Sequence, residues 1–118
     1  MTAAARSVYY FGFYVLATGI VLTVFPNVLL SVVGVAETTE VWIHMLGVVV
    51  FAIGLYYVFM APTNHKLFFT LSVYARISVF LWFVIFIVIG LAPLHLLPFG
   101  IIDLLGAGWT YAALRKEN

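Results

Sequence analysis

The sequence contains no cysteine, and only 8% of its 118 residues are charged. The absence of cysteine excludes disulfides, thiolate nucleophiles and cysteine-ligated metals. Four acidic and five basic residues are too few to cover the surface of a water-soluble domain of this size. The basic residues form no cluster, so a nucleic-acid partner is not expected. With 66% hydrophobic residues, the chain is expected to lie in a lipid bilayer.

The apolar runs predict an all-α integral membrane protein with four transmembrane helices in a single domain. A helix needs about 20 apolar residues to cross a bilayer. The predicted spans are residues 8–25, 41–61, 67–91 and 99–114. Pro26 interrupts the first run, so residues 26–35 form either a kinked continuation of the first helix or an extension along the interface, and we favour the extension. The short connections favour an antiparallel up-down bundle.

The flanking basic residues predict the orientation. If the amino terminus is inside, the cytoplasmic side holds Arg6, Lys66, Arg115 and Lys116, and the opposite side holds no lysine or arginine. Basic residues concentrate on the cytoplasmic side of membrane proteins, so both termini are expected there. At the other side, the threonines of residues 37–40 are expected to cap the second span, with Glu40 in its first turn.

Glycines recur at matching positions in the first two spans. Gly12 and Gly19 are seven residues apart, as are Gly47 and Gly54, so each pair lies on one helix face. Small residues let helix backbones approach closely in lipid. These faces either pack the first two helices together, which we favour, or form a dimerisation surface. Gly106 in the fourth span is a further site of close approach.

Arg76 and Asp103 are ionisable residues well inside predicted spans, where charge is costly. With the helix ends aligned, Asp103 lies opposite residue 86 and Arg76 about 15 Å deeper. Three interpretations stay open. The two residues belong to a structural polar network with nearby serines and tyrosines, or they line a buried pocket that holds water or the polar head of a ligand. In the third, each approaches its own membrane surface independently.

A pocket lined by aromatic side chains around polar anchors would suit a lipid or a quinone-like molecule. The candidate ligand-binding residues are Arg76, Asp103, Tyr74, Trp82, Trp109 and Tyr14. At the opposite membrane edge, Glu40, His44 and His95 are candidates for a divalent metal, but their spacing matches no firm motif and no metal site is predicted. The sequence identifies neither a cofactor nor a catalytic residue, so an enzyme ranks last.

Four short stretches carry a family resemblance, and they are Phe25–Asn27, Thr39–Ile43, Tyr74–Arg76 and Ile102–Trp109. Together with the four spans, they resemble the DoxX-like group of small bacterial membrane proteins, most of which have no assigned activity. The resemblance implies a compact bundle in the bacterial inner membrane, sometimes working beside redox proteins or quinones. It carries over no catalytic residue.

The leading functional hypothesis is a binding protein with a buried site for a hydrophobic small molecule. The first alternative is a structural or accessory subunit of a larger membrane complex, with glycine faces and aromatic residues serving helix packing. The second is a small dimeric proton-coupled transporter with Asp103 as carrier. The expected partners are membrane lipids and, depending on the hypothesis, a hydrophobic ligand, a second copy or a larger complex.

Overall fold

The computed structural model describes residues 1–117, which contain five α-helices, two short 3-10 turns and no strand. The helices are α1 (Ala3–Val24), α2 (Pro26–Val32), α3 (Val41–Met60), α4 (Lys66–Val88) and α5 (Leu97–Lys116). All but α2 are long and apolar enough to cross a membrane, α3 and α5 being counted with their adjoining 3-10 turns. The prediction of an all-helical chain with four such helices is confirmed.

The first predicted span, residues 8–25, corresponds to a longer helix that ends before Pro26. α1 begins at Ala3, before the predicted start at residue 8, because the Thr2 hydroxyl accepts the Ala5 N–H at 3.1 Å and caps the helix. It ends at Val24, and Pro26 starts the separate seven-residue helix α2. Proline lacks an N–H and suits the first turn of a helix. The apolar residues after Pro26 therefore do not continue α1.

The start of α3 differs from the predicted capping. Glu40 is the residue before the helix and makes no side-chain capping bond. The Thr38 hydroxyl accepts the Glu40 N–H at 3.1 Å, while the Thr38 N–H donates to the Asn27 amide oxygen at 2.9 Å. The prediction that a threonine caps this helix, with Glu40 in its first turn, is wrong because Thr38 is engaged in the loop.

The end of α4 is set by a glycine turn. Gly90 adopts φ +85°, which places the Leu91 N–H 2.9 Å from the Phe86 carbonyl and the Gly90 N–H 3.2 Å from the Ile87 carbonyl. This paired arrangement closes a helix and favours glycine at its left-handed position. α4 therefore stops at Val88, before the predicted end at residue 91.

The long helices are arranged as two closely packed antiparallel pairs. α1 packs against α3, α4 packs against α5, and α1 also contacts α5. The backbones of α3 and α4 lie apart although these helices are consecutive, which differs from the expectation that every consecutive pair packs together. The described part of the chain extends 45 × 29 × 17 Å, so the helices form a flattened array.

Glycines allow the close contact between α1 and α3. A Cβ added at Gly19 would lie 2.6 Å from the Phe51 Cα, and one at Gly54 would lie 2.8 Å from the Leu16 backbone nitrogen. Gly12 and Gly47 face the same interface. A larger residue at these positions would push the backbones apart, and dispersion contacts are the main source of helix association in lipid. All four glycines are therefore used inside this chain.

Burial is concentrated at one end of the array. The larger core cluster joins all four long helices near the α1 amino terminus, whereas the smaller one, formed by Leu22, Leu30 and Ile43, belongs to α1, α2 and α3 alone. Within α4, Arg76 is the last buried residue, and none follows it before the helix ends. The two helix pairs are thus joined at one end and share no buried cluster at the other.

Backbone capping ties the chain together at the joined end. The Thr2 N–H donates to the Asn64 amide oxygen at 3.0 Å, and the Ala4 N–H donates to Glu117 Oε1 at 3.1 Å. A carboxylate is favourable at a helix amino terminus because that end carries partial positive charge. These bonds bring the start of α1, the α3–α4 connection and the end of α5 together at one end of the helical array. We call it the basic end, because these segments contain Arg6, Lys66, Arg115 and Lys116.

Candidate functional site: a buried arginine between the helix pairs

Arg76 lies in the interior, with 2% of its surface exposed, about 15 Å along α4 from the start of that helix. Its Nε donates to the Ser72 carbonyl at 3.1 Å. Its Nη2 donates to the Ser72 hydroxyl at 3.0 Å and to the Thr110 hydroxyl of α5 at 2.9 Å. The guanidinium therefore folds back over the preceding turn of its own helix, the direction in which helical side chains lean.

The Ser72 and Thr110 hydroxyls, which accept from Arg76, each donate a hydrogen bond to a further group. The Ser72 hydroxyl donates to the Phe69 carbonyl at 2.7 Å. The Ser7 hydroxyl donates to the Ala4 carbonyl and lies 2.6 Å from the Thr110 hydroxyl, which must then donate to Ser7. The network runs from α4 through α5 to α1. The acceptor of the Ser72 proton is the Phe69 carbonyl and that of the Thr110 proton is the Ser7 hydroxyl, so both bonds persist without Arg76.

One nitrogen of the guanidinium has no partner. Arg76 Nη1 is buried and makes no hydrogen bond with any residue described. It lies beside Gly106 of α5, where an added Cβ would approach it to 3.2 Å. Aromatic rings also pack against the guanidinium, with the Phe11 centroid 4.8 Å and the Tyr57 centroid 5.6 Å from its carbon, and the Phe11 ring also contacts Gly106. Cation–π contact stabilises the charge but accepts no conventional hydrogen bond.

Asp103 lies on the same face of α5 as Gly106, one turn further from the basic end. It is half-buried, and no ion pair joins it to Arg76. It lies in the same region of the interior as Tyr14, Tyr57 and Arg76. The site therefore holds a cation and a carboxyl that face one region without touching.

The depth difference between the two charges is smaller than the sequence predicts. Gly100 of α5 faces Phe83 of α4, and Gly106 faces Arg76. Asp103 therefore lies opposite α4 residues between 76 and 83, and not opposite residue 86. The offset from Arg76 is roughly 6 Å along the helix axis. The expected 15 Å separation is wrong because α4 ends at Val88, before residue 91, and α5 begins at Leu97, before residue 99, which shifts the two helices relative to the prediction.

The other candidate residues fall in different places. Tyr14 is half-buried, with its ring centroid 5.4 Å from that of Phe11, so it borders the Arg76 region. Tyr74 is 67% exposed, Trp82 is 55% exposed and Trp109 is 49% exposed. The structure brings Arg76, Asp103 and Tyr14 together and directs these other three side chains outward.

The metal candidates are dispersed. His44 Nδ1 lies 2.6 Å from the Thr23 carbonyl, which ties α3 to the end of α1. Glu40 and His95 are exposed, and the His95 ring lies near Gly34 in the turn after α2. Among residues 1–117, no three histidine, cysteine or acidic side chains form a group that could hold a metal ion.

Sequence reasoning missed four residues of the site, namely Ser7, Phe11, Tyr57 and Thr110. One signal for Thr110 was available, because Asp103, Gly106 and Thr110 share a helix face by their spacing. Ser7, Phe11 and Tyr57 carry no comparable signal, since their roles depend on which helices meet.

Fold and site together define a small all-helical protein with four helices compatible with a membrane and a buried arginine network between them. Comparison of the chain with protein-family models, characterised proteins and solved structures gives no match. The resemblance to the DoxX-like group therefore stays a prediction from the sequence.

Proposed function

We propose that this is a small bacterial inner-membrane protein, similar to the DoxX-like group, that binds a lipid or quinone-like molecule at the Arg76 site. The observation that carries the proposal is the unpaired Arg76 Nη1. A buried donor without an acceptor costs about 1–3 kcal/mol, and more if it is charged. An oxygen atom of a bound molecule would remove that penalty. Carbonyl, phenol and carboxyl oxygens all have the required chemistry.

The surroundings of Nη1 suit a flat, mainly apolar molecule with one polar edge. Phe11, Tyr14 and Tyr57 supply aromatic walls, and the Phe11 ring packs directly against Gly106 beside Nη1. Asp103 stands one turn away as an acceptor for a hydroxyl of the ligand. Entry from the end where the helix pairs share no buried cluster would lead past Asp103 toward Arg76.

The distribution of charge supports a membrane location with both termini in the cytoplasm. The basic end carries four of the five lysines and arginines. The other end carries Glu37, Glu40 and His95 and no basic residue outside histidine. This asymmetry follows the positive-inside pattern. The large exposed apolar side chains of the four long helices would face lipid.

The proposal is tested by native mass spectrometry of the protein released gently from its own membrane. We expect a bound mass of a few hundred daltons (roughly that of a lipid or quinone) on the wild-type protein, and its loss in Arg76→Met and Asp103→Asn. Arg6→Met is the matched control, because Arg6 is exposed and donates only to the Met1 carbonyl. An apo wild-type protein, or equal retention in Arg76→Met and Arg6→Met, would contradict the proposal.

A structural role is the second candidate, and the bond between Ser7 and Thr110 favours it because it links the helix pairs. In that case Arg76 serves as a polar connection between α4 and α5 within a subunit of a larger complex. The thermal unfolding of Arg76→Met separates the two functions. Ser72 and Thr110 keep acceptors for their protons without Arg76, so the binding function predicts a loss of no more than about 1 kcal/mol, that of the Arg76–Thr110 bond, whereas the structural function predicts a larger loss.

A further inference from the structure

A second candidate site lies on the outer side of the α4–α5 pair, away from the Arg76 network. It is a groove of about 250 Å³ at the basic end. Its lining residues come from both helices, and they are Thr70, Val73, Tyr74, Ile77, Tyr111, Leu114 and Arg115. Small-molecule sites commonly enclose roughly 300–1,000 Å³. The groove is therefore suited to part of an elongated molecule that continues outside it.

The polar groups of the groove are free to bind. Neither the Tyr74 nor the Tyr111 hydroxyl makes a hydrogen bond to another residue in the described range 1–117. The Arg115 guanidinium lies 5.9 Å from the Tyr111 ring centroid and is exposed. Thr70, in contrast, already donates to the Lys66 carbonyl at 2.9 Å. One cation and two phenol hydroxyls are thus available as donors.

Charge and apolar surface are separated along the groove. Arg115 lies in the last turn of α5, at the basic end, where Lys116 follows it and Lys66 begins α4. Ile77 lies about 10 Å further along α4 than Thr70 and belongs to the apolar part, with Val73 and Leu114. In a bilayer, the cationic end would be at headgroup level and the apolar end among the acyl chains.

We infer that this groove binds an anionic phospholipid, with the phosphate at Arg115 and one acyl chain along Val73 and Ile77. Arginine and phenol donors match phosphate oxygens, and basic sites between transmembrane helices on the cytoplasmic side recruit anionic lipids. A quinone head would leave the cation without a counterion. This site shares no residue with the Arg76 network, so it goes beyond the proposed function.

The test uses the full chain in nanodiscs of equal parts dioleoyl phosphatidylglycerol and dioleoyl phosphatidylcholine. Native mass spectrometry then counts the lipids retained after release. We expect the wild-type protein to retain phosphatidylglycerol in preference to phosphatidylcholine by about fivefold or more, the effect of one cation near an anionic lipid surface. Arg115→Gln should abolish this preference, and Lys116→Gln, which removes the same charge from outside the groove, should preserve it.

A second variant tests the apolar part. Ile77→Trp should lower retention of both lipids by filling the groove, whereas Leu81→Trp, one turn further along α4 and outside the groove, should not. Equal lipid retention in wild type and Arg115→Gln, or equal losses in Arg115→Gln and Lys116→Gln, would overturn the inference. Because Arg115 is exposed and lies outside the Arg76 network, its substitution leaves the proposed function independently testable.

Discussion

Arg76 donates from Nη2 to the Thr110 hydroxyl of α5 at 2.9 Å and forms no ion pair with Asp103 of the same helix. The reason is the direction of the side chain. It leans toward the amino terminus of α4, where Ser72 accepts from both Nε and Nη2, and so turns away from Asp103. The carboxyl is thereby left available on the other side of Gly106.

Thr110→Val should destabilise the fold more while Arg76 is present than after Arg76→Met, because the bond to Ser7 is lost in both backgrounds and the bond to Arg76 only in the first. The substitution preserves shape but leaves one Nη2 proton of a buried cation without an acceptor. We expect a coupling between Thr110→Val and Arg76→Met of about 1 kcal/mol, above the average of about 0.6 kcal/mol for interhelical hydrogen bonds in membranes, because the donor is charged. A double-mutant cycle of unfolding in micelles measures it. Additive effects would show that the bond contributes nothing specific.

Gly19→Ala should destabilise the α1–α3 contact, whereas Gly108→Ala should not. A Cβ at position 19 would meet the Phe51 backbone, which cannot move aside as a side chain would. Overpacking of this kind costs about 1–3 kcal/mol. No atom lies within 4 Å of a Cβ at position 108, and alanine is a better helix former than glycine by about 1 kcal/mol. Opposite shifts in thermal unfolding temperature are therefore expected, and equal shifts would contradict the close contact.

Substitutions at Asn64 should separate the contribution of its left-handed backbone conformation from that of its side-chain hydrogen bond. Asn64 adopts φ 52°, and its amide oxygen accepts the Thr2 N–H at 3.0 Å. Asn64→Asp retains an oxygen acceptor and tolerates the left-handed backbone conformation. Asn64→Gly tolerates that conformation but has no acceptor, and Asn64→Ala has no acceptor and disfavours the conformation. We expect stability to fall in that order, with alanine about 1–2 kcal/mol below wild type. Thermal unfolding in micelles provides the measurement, and alanine as stable as aspartate would refute the assignment.

Single cysteines can report the orientation, because the natural sequence has none to remove. Thr63→Cys lies in the α3–α4 connection at the basic end, and Leu94→Cys lies in the α4–α5 connection at the opposite end. Both positions are exposed. In intact bacterial spheroplasts, a membrane-impermeant maleimide should label Leu94→Cys at once and Thr63→Cys only after permeabilisation. Immediate labelling of Thr63→Cys would mean that the chain is inserted the other way.

The sequence was sufficient for the long helices but not for their arrangement. Apolar runs bounded by Pro26 and by the polar residues around Asn64 locate the helices, since hydrophobic length is a property of local sequence. Which helices touch depends on complementary surfaces far apart in the chain. Gly12 and Gly19 indicated close packing, but no local signal shows that the α3 and α4 backbones form no closely packed pair.

The candidate site was predictable only in part. Arg76 and Asp103 stand out because charge is rare in an apolar helix. Their relation depends on the relative shift of α4 and α5, which the positions of Gly100 and Gly106 reveal only once the helices are in contact. Thr110 and Ser7 look ordinary in the sequence, because serine and threonine can satisfy themselves with a backbone carbonyl in any helix.

The arrangement in two pairs has a consequence for biogenesis. Residues 1–64 contain the whole α1–α3 contact, and residues 65–117 contain the whole α4–α5 contact. With the membrane location proposed above, each hairpin can form soon after its insertion, without waiting for the other. Their union is a later step, in which polar bonds between Ser7 and Thr110 and between Ala4 and Glu117 set the alignment. Two separately expressed halves should accordingly recognise each other in the bilayer.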